Sequence, residues 1–194
     1  MIHRTVHSLK KLPRRVRTRL SHHLVSPTAV FSLLGVEEGQ TVLELGNPVG
    51  FFAAAALKAV GKPGKVIVAG ANDDALERVG HLGHHPQLET TLLADVLLGR
   101  AFDHKSVDWV LLTNVLSSSL NPDHFCIAVT QYVRPGGYVV LLDWQELTAA
   151  GPQADRRVSR EQAIRLMAGC GLKFHHALAT PGYQYALVFE ITAR

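Results

Sequence analysis

Short apolar runs alternate with helix-like segments from about residue 40 to the end of the chain. Seven of these runs predict β-strands, at residues 41–45, 65–69, 89–93, 107–112, 138–142, 172–177 and 185–191. Most of the runs contain few polar residues, which is typical of strands covered on both faces of a parallel sheet. The pattern therefore predicts a doubly wound α/β fold that ends in a hairpin-like pair of strands.

Turn residues and one capping signal mark the ends of the predicted helices. Residues 123–133 predict a helix that Pro135 and the two glycines after it would end. Residues 159–169 predict another helix, and Ser159 and Gln162 have the spacing of a capping box at its start. These signals separate helices from strands and indicate one domain without internal repeats.

Composition narrows the class of protein. The chain has 194 residues, of which 47% are hydrophobic and 19% are charged, and this balance excludes a disordered chain. No apolar run reaches the roughly 18 uncharged residues that a membrane span requires. Cys126 and Cys170 fit neither a disulfide framework nor a C-x-x-C metal site, so we interpret them as reduced, buried thiols of a cytoplasmic protein.

Positive charge is concentrated at the start of the chain. Residues 1–36 contain seven Lys and Arg residues and no acid, so the remaining residues carry a net charge of minus three. We expect residues 1–25 to form a basic amphipathic arm and residues 26–194 to form the domain. Apolar residues of the arm recur at helical spacing, which favours one or two helices packed across the domain. The basic residues between them favour binding of a polyanion or a protein partner through residues 1–24. An organellar transit peptide is a further interpretation, although Pro13 interrupts its helix.

The end of the first predicted strand carries the most informative motif. In open α/β sheets, ligands bind beyond the carboxyl ends of the strands. At this end Glu44 and Gly46 are followed by Pro48 and Gly50, and then by a segment of good helix formers. A dinucleotide-binding G-x-G-x-x-G motif would need glycines where Pro48 and Phe51 stand. The motif therefore disfavours an NAD-dependent oxidoreductase.

The spacing Glu44-x-Gly46-x-Pro48-x-Gly50 resembles the acid-x-Gly-x-Gly-x-Gly motif of class I S-adenosylmethionine-dependent methyltransferases. Three further segments are similar to that family in the same order, at residues 36–46, 106–116 and 133–144. The resemblance covers residues 26–192 and is strongest to small, stand-alone methyltransferases related to quinone and arsenite methylation. It implies a mostly parallel, seven-stranded Rossmann-like sheet with an antiparallel final strand.

The resemblance also implies S-adenosylmethionine as cofactor and a small molecule as methyl acceptor. Glu44, Gly46 and Gly50 would lie around the methionine part of the cofactor. Asp95 would match the acid near the adenine amino group, and Asn114 would lie beside the sulfonium. The complete set of predicted cofactor-binding residues is Glu44, Gly46, Asn47, Gly50, Gly70, Asn72, Asp95, Val96 and Asn114. Because in-line methyl transfer mainly needs alignment and exclusion of water, we assign no catalytic residue.

Three positions depart from the pattern of the family. Pro48 replaces the middle glycine and removes an amide donor. Gly70 ends the second strand, where the family has an acid that binds both ribose hydroxyls, and Asn72 or Asp73 would be the nearest replacement. After the fourth strand, where relatives often carry a histidine or an acid, this chain has three serines at residues 117–119.

The enzyme stays the leading hypothesis, and these departures support a second hypothesis beside it. In that alternative the chain is a non-catalytic methyltransferase-fold scaffold or binding module, and its basic arm docks on an anionic or protein partner. Asp143, at the end of the fifth strand, is interpreted as a strand-end acid rather than as a catalytic base.

Histidines are numerous, and His81, His84 and His85 form the densest group. Metal ligands need a fixed geometry, but Gly80 and Gly83 would break any helix that aligned these side chains. We therefore interpret this segment as a solvated loop and predict no metal site.

Overall fold

A computed structural model describes residues 25–119, 121–146, 148, 151–180 and 182–191. The predicted basic arm at residues 1–24 lies outside the described residues. The division of the chain into an arm and a domain therefore stays a prediction.

Helices and strands alternate along the described residues, as the apolar pattern indicates. The helices are α1 (Pro27–Leu34), α2 (Ala53–Val60), α3 (Asp73–Glu77), α4 (Leu93–Leu97), α5 (Pro122–Thr130) and α6 (Arg160–Gly169), with 3₁₀ segments at Arg78–Leu82 and Ala154–Arg156. The strands are β1 (Thr41–Gly46), β2 (Lys65–Gly70), β3 (Leu88–Leu92), β4 (Val107–Thr113), β5 (Val133–Trp144), β6 (Leu172–Leu178) and β7 (Gln184–Ile191). Among the described residues, no helix combines the length and apolar character that crossing a membrane requires.

The seven strands form one sheet in the order β3-β2-β1-β4-β5-β7-β6. Strands β1 to β5 are joined by parallel pairs, whereas β7 runs antiparallel to both β5 and β6. In the β5–β7 pair, Leu142 lies opposite Ala186. This arrangement confirms the predicted α/β fold, with its mostly parallel seven-stranded sheet and antiparallel final strand.

The sheet separates two apolar layers, because successive side chains of a strand point to opposite faces. Along β1, Val42 belongs to the layer that includes α1 and α2, whereas Leu43 and Leu45 belong to the layer that includes α4, α5 and α6. All three side chains are at most 1% exposed. Burying each contributes about 1.5–3 kcal/mol, so the near-continuous apolar runs follow from burial on both faces.

The boundary between α5 and β5 differs from the predicted one. The helix predicted to reach residue 133 ends at Thr130, and Val133 already pairs with Val107 of β4. The pairing is irregular between Val107 and Trp109, and Pro135 falls in this part of β5. A proline has no N–H to donate, so a strand accommodates it where the ladder is interrupted. Pairing with β4 therefore outweighs the helical pattern at Val133.

The capping box predicted at the start of α6 is confirmed. The Gln162 N–H donates to Ser159 Oγ over 3.2 Å, and the Ser159 N–H donates to Gln162 Oε1 over 2.9 Å. Two N–H groups at the start of the helix, which have no partner within the helix, are thereby satisfied.

Replacing the capping serine should destabilise the fold measurably. We expect Ser159→Ala to lower the free energy of unfolding by about 1 kcal/mol, because it leaves the Gln162 N–H without its acceptor. Urea denaturation monitored by circular dichroism measures the change. Ser32→Ala is the matched control, since the exposed Ser32 hydroxyl only donates to the Thr28 carbonyl within α1. An equal loss in both variants would contradict the capping role.

Candidate functional site

The order of the strands reverses beside β1, which lies between β2 and β4. Helix α2 follows β1 on one face of the sheet, and α5 follows β4 on the other. Such a reversal opens a crevice beyond the carboxyl ends of the two strands, where doubly wound folds bind ligands. We call residues 44–50 and 113–117 the switch crevice.

The turn after β1 approaches β4 so closely that it requires glycine. Gly46 has a φ of 126°, and a Cβ there would lie 2.1 Å from the carbonyl oxygen of Thr113. The Asn47 N–H donates to that same oxygen over 2.9 Å. Gly50 has a φ of 74°, and its Cβ would meet Val79 at 3.0 Å. The two glycines that match the family motif are therefore needed for the geometry of the turn itself.

Glu44 lies near the end of β1 and is only 1% exposed. Its Oε1 accepts a hydrogen bond of 3.0 Å from the Phe52 N–H at the start of α2. Its Oε2 has no partner among the described residues, and neither does the buried hydroxyl of Thr113. Burial raises the pKa of Glu44 to about 7, although backbone N–H groups from Phe52, Phe51, Ala53 and Gly50 oppose this rise.

Glu44 thus caps the turn that leads into α2 and still presents an unpartnered oxygen. The first property is the structural role that a strand-end acid often has. The second is unusual, since buried polar atoms nearly always have hydrogen-bond partners. Its assignment to cofactor binding stays a prediction, and the unpartnered oxygen is consistent with it.

Asn114 links the turn after β1 to the start of β7. Its Nδ2 donates to the Asn47 carbonyl over 2.7 Å, and its Oδ1 accepts from Gln184 Nε2 over 2.9 Å. Asn114 has a φ of 54°, a left-handed conformation that asparagine adopts more readily than most residues. Asn47 and Asn114, both predicted cofactor contacts, therefore meet directly.

Asp143 is fully buried at the end of β5 and holds the loop that follows β4. Its Oδ2 accepts from the N–H groups of Leu116 and Ser117 over 2.9 and 3.2 Å, and its Oδ1 accepts from the Trp144 N–H over 2.8 Å. Burial raises the pKa of Asp143 against the effect of these hydrogen bonds. Both carboxylate oxygens are engaged, which agrees with the interpretation of Asp143 as a strand-end acid.

The end of β2 is apolar. A Cβ on Gly70 would lie 2.6 Å from Cδ2 of Leu76 in α3, so the Leu76 side chain fills the space beside Gly70. Asn72 caps α3, and its Oδ1 accepts from the Ala75 N–H over 2.9 Å. Asp73 is exposed in the first turn of α3. The Asn72 acceptor is therefore already engaged within its own turn.

The end of β3 leads directly into α4, which contains the two remaining predicted residues. Asp95 forms an ion pair with Arg100, with 2.7 Å between Oδ1 and Nε. Its side chain is 32% exposed, whereas Val96 is fully buried. Asp95 is thus accessible to a ligand, and Val96 contributes to the apolar layer beneath.

The predicted residues fall into separate groups. Glu44, Gly46, Asn47, Gly50 and Asn114 all belong to the switch crevice. Gly70 ends β2 and Asn72 caps α3, whereas Asp95 and Val96 lie in α4. Sequence reasoning missed Gln184 and Leu76. The only feature of the sequence that could have indicated Gln184 is its position as a polar residue directly before the apolar strand predicted at residues 185–191.

The histidine segment makes local hydrogen bonds. His81 Nδ1 pairs with the Arg78 carbonyl, and His85 Nε2 lies 3.0 Å from the Leu82 carbonyl. Within the described ranges, no group of three His, Cys, Asp or Glu side chains has an arrangement that could hold a metal ion.

The seven-stranded sheet with antiparallel β7, together with an acid and a glycine turn at the end of β1, defines the class I methyltransferase fold. A family model described as a methyltransferase domain matches residues 43–141, just over half of the chain. The chain belongs to this methyltransferase family, which confirms the resemblance stated from the sequence motifs. S-adenosylmethionine is the cofactor of this class. No curated protein sequence matches the chain.

Solved structures share the fold at low sequence identity. An S-adenosylmethionine-dependent methyltransferase from Aquifex aeolicus is 21% identical, with a TM-score of 0.75 over 96% of this chain and 98% of that one. A Sulfolobus solfataricus protein assigned as a type 11 methyltransferase is 18% identical, with a TM-score of 0.68 over 88% and 95%. A protein assigned as a methyltransferase from Haloferax volcanii, in complex with the Trm112 activator, is 15% identical, with a TM-score of 0.69 over 93% and 94%.

The switch crevice fits the methionine end of S-adenosylmethionine. Glu44 Oε2 and Thr113 Oγ1 are buried oxygens without partners among the described residues, and an amino group is a donor that such oxygens accept. The end of β2 does not fit the ribose in the way that the family binds it. Gly70 offers no acceptor, and Leu76 fills the space of a side chain there.

Burial of Glu44 should make stability depend on pH. Its pKa rises from 4.5 to about 7 on folding, so between these values the folded chain holds a proton that the unfolded chain releases. The free energy of unfolding then falls as pH rises through this window, by at most about 1.4 kcal/mol per pH unit. Glu44→Gln should remove this contribution. Urea denaturation across the window, compared between wild type and variant, measures it.

Glu77→Gln provides the control, because Glu77 is an exposed carboxylate of α3. Its stability profile should run parallel to that of the wild type. Asp143 is present in all three proteins, so its contribution cancels in the comparison. If the free energy of unfolding of Glu44→Gln changes with pH in parallel with that of the wild type, the raised pKa of Glu44 is contradicted.

Proposed function

We propose that this protein is a methyltransferase that transfers a methyl group from S-adenosylmethionine to a small molecule. The observation that carries the proposal is the pair of buried, unpartnered oxygens of Glu44 and Thr113, where β1 and β4 meet. In a member of the methyltransferase family, these oxygens lie at the strand ends where doubly wound folds bind ligands.

In this proposal each residue of the switch crevice has a role in binding or alignment. When bound, S-adenosylmethionine supplies a methyl group on a positively charged sulfur. Glu44 accepts a hydrogen bond from the methionine end through Oε2, while its Oε1 keeps the start of α2 in place. Asn114 holds the turn at Asn47, and Gln184 holds Asn114. Such alignment and the exclusion of water are the main requirements of in-line transfer.

A small acceptor suits the loop after β4. Leu116 and Ser117 are buried, and Asp143 binds both of their N–H groups. The Asn121–Pro122 pair begins α5, where Asn121 Oδ1 accepts from the His124 N–H, rather than forming a motif for a flipped base. Because Asn121 serves as a helix cap, methylation of a flipped base has no support here, and we propose a small molecule as the acceptor.

Calorimetric titration with S-adenosylmethionine and S-adenosylhomocysteine tests the proposal. We expect micromolar binding to the wild type. Asn114→Ala should weaken it about tenfold, because the turn at Asn47 loses the donor that holds its carbonyl. Asn121→Ala is the matched control, since Asn121 caps α5 outside the switch crevice. Absence of heat with the wild type at millimolar ligand would contradict the proposed function.

The apolar end of β2 favours a second candidate, a non-catalytic methyltransferase-fold module. Its binding element would be the basic arm at residues 1–24, which would dock on a polyanion or a protein. The Haloferax volcanii neighbour was solved with a protein activator, which supports a protein partner for this fold. We place the protein in the cytoplasm, in keeping with the two free, buried cysteines.

Removing the arm tests this second candidate. Deletion of residues 1–22 should abolish salt-sensitive retention on heparin, because it removes seven basic residues and leaves a net charge of minus three. Replacing Arg14, Arg15 and Arg17 with Gln should weaken retention, whereas replacing them with Lys should preserve it. Unchanged retention of the deletion variant would overturn a role for the arm.

A further inference from the structure

The ends of β2 and β3 form an apolar surface beside the switch crevice. Gly70 and Leu92 are partners in the β2–β3 ladder, and their side-chain positions therefore share one face of the sheet. Leu92 is 36% exposed, although it is a large apolar residue. Leu76 lies against Gly70, with its Cδ2 2.6 Å from the position of a Cβ. Two leucines thus flank the position of the missing acid.

Two polar groups near this surface are already engaged, whereas Asp73 is exposed in the first turn of α3. Asn72 Oδ1 accepts from the Ala75 N–H and so completes the first turn of α3. The Asp95 carboxylate pairs with Arg100. Gly70 has an ordinary backbone conformation and is not among the glycines with positive φ, so backbone geometry does not require a glycine there. The Leu76 side chain occupies the space that a side chain at residue 70 would take, so a larger residue there requires Leu76 to move.

We propose that Leu76 and Leu92 form an apolar wall beside Gly70, and that the site takes the nucleoside part of its cofactor without hydrogen bonds from β2 to the ribose hydroxyls. This inference rests on the proposed function and deepens it. A hydroxyl placed against leucine side chains loses hydrogen bonds to water and gains none from the wall. Leu76 is then a specificity-determining residue, because it makes the site tolerant of ribose that lacks a hydroxyl.

Calorimetry with two ligands tests the proposal on the full chain. The probes are S-adenosylhomocysteine and its 2′-deoxyribose analogue, which differ only in one hydroxyl group. We expect the wild type to bind both with dissociation constants within about threefold of each other, because no charge-assisted hydrogen bond to that hydroxyl is lost. A site with a carboxylate at this position would lose about tenfold or more on the analogue.

A paired variant supplies the complementary measurement. Gly70→Asp combined with Leu76→Ala places a carboxylate beside the ribose and makes room for it. This variant should prefer S-adenosylhomocysteine over the analogue by about tenfold. Gly80→Asp is the control for added charge, since a Cβ on Gly80 meets no atom within 4 Å. Thermal denaturation establishes whether each variant folds. If the paired variant does not fold, the comparison of the two ligands on the wild type alone tests the apolar wall.

The outcomes separate this inference from the proposed function. A wild type that binds S-adenosylhomocysteine but loses tenfold or more on the analogue overturns the apolar wall and leaves the methyltransferase function intact. A folded paired variant without any preference also overturns the wall. A wild type that binds neither ligand, beside a paired variant that binds S-adenosylhomocysteine, overturns the function and, with it, the tolerance of altered ribose. If neither protein binds either ligand, both are overturned.

Discussion

The close contact between the turn after β1 and the end of β4 is the constraint on which the carboxyl edge of the sheet depends. Gly46 lies so near the carbonyl of Thr113 that no side chain fits between them. Asn114 then holds the same turn through the Asn47 carbonyl, and Gln184 orients Asn114. Three strands that are distant in the chain are thereby joined by hydrogen bonds at the place where a ligand would bind.

Two buried acids at this edge differ in how fully they are satisfied. Asp143 has three backbone N–H partners distributed over both of its oxygens. Glu44 has a backbone partner for Oε1 and none among the described residues for Oε2. Burial of a carboxylate is costly unless both oxygens are hydrogen-bonded. Glu44, unlike Asp143, therefore keeps one carboxylate oxygen that no described residue satisfies.

The site is divided between a polar part and an apolar part. The switch crevice keeps the acid and two of the three glycines of the methyltransferase motif, with Pro48 at the middle position, whereas Gly70 at the end of β2 is packed against Leu76. The two parts thus differ in character: hydrogen bonds hold the turn after β1, and side-chain packing surrounds Gly70. The proposed methyltransferase and its tolerance of altered ribose both follow from this division.

The sequence by itself determined the fold and the motif of the switch crevice. Near-continuous apolar runs broken by glycine and proline identify buried parallel strands, and the spacing from Glu44 to Gly50 is a local pattern. Tertiary structure decided where α5 ends, because Val133 pairs with β4 instead of continuing the helix. It also decided the roles of Gln184, 70 residues beyond Asn114, and of Leu76. Such contacts depend on which elements pack together, and a local pattern of residues carries no information about that.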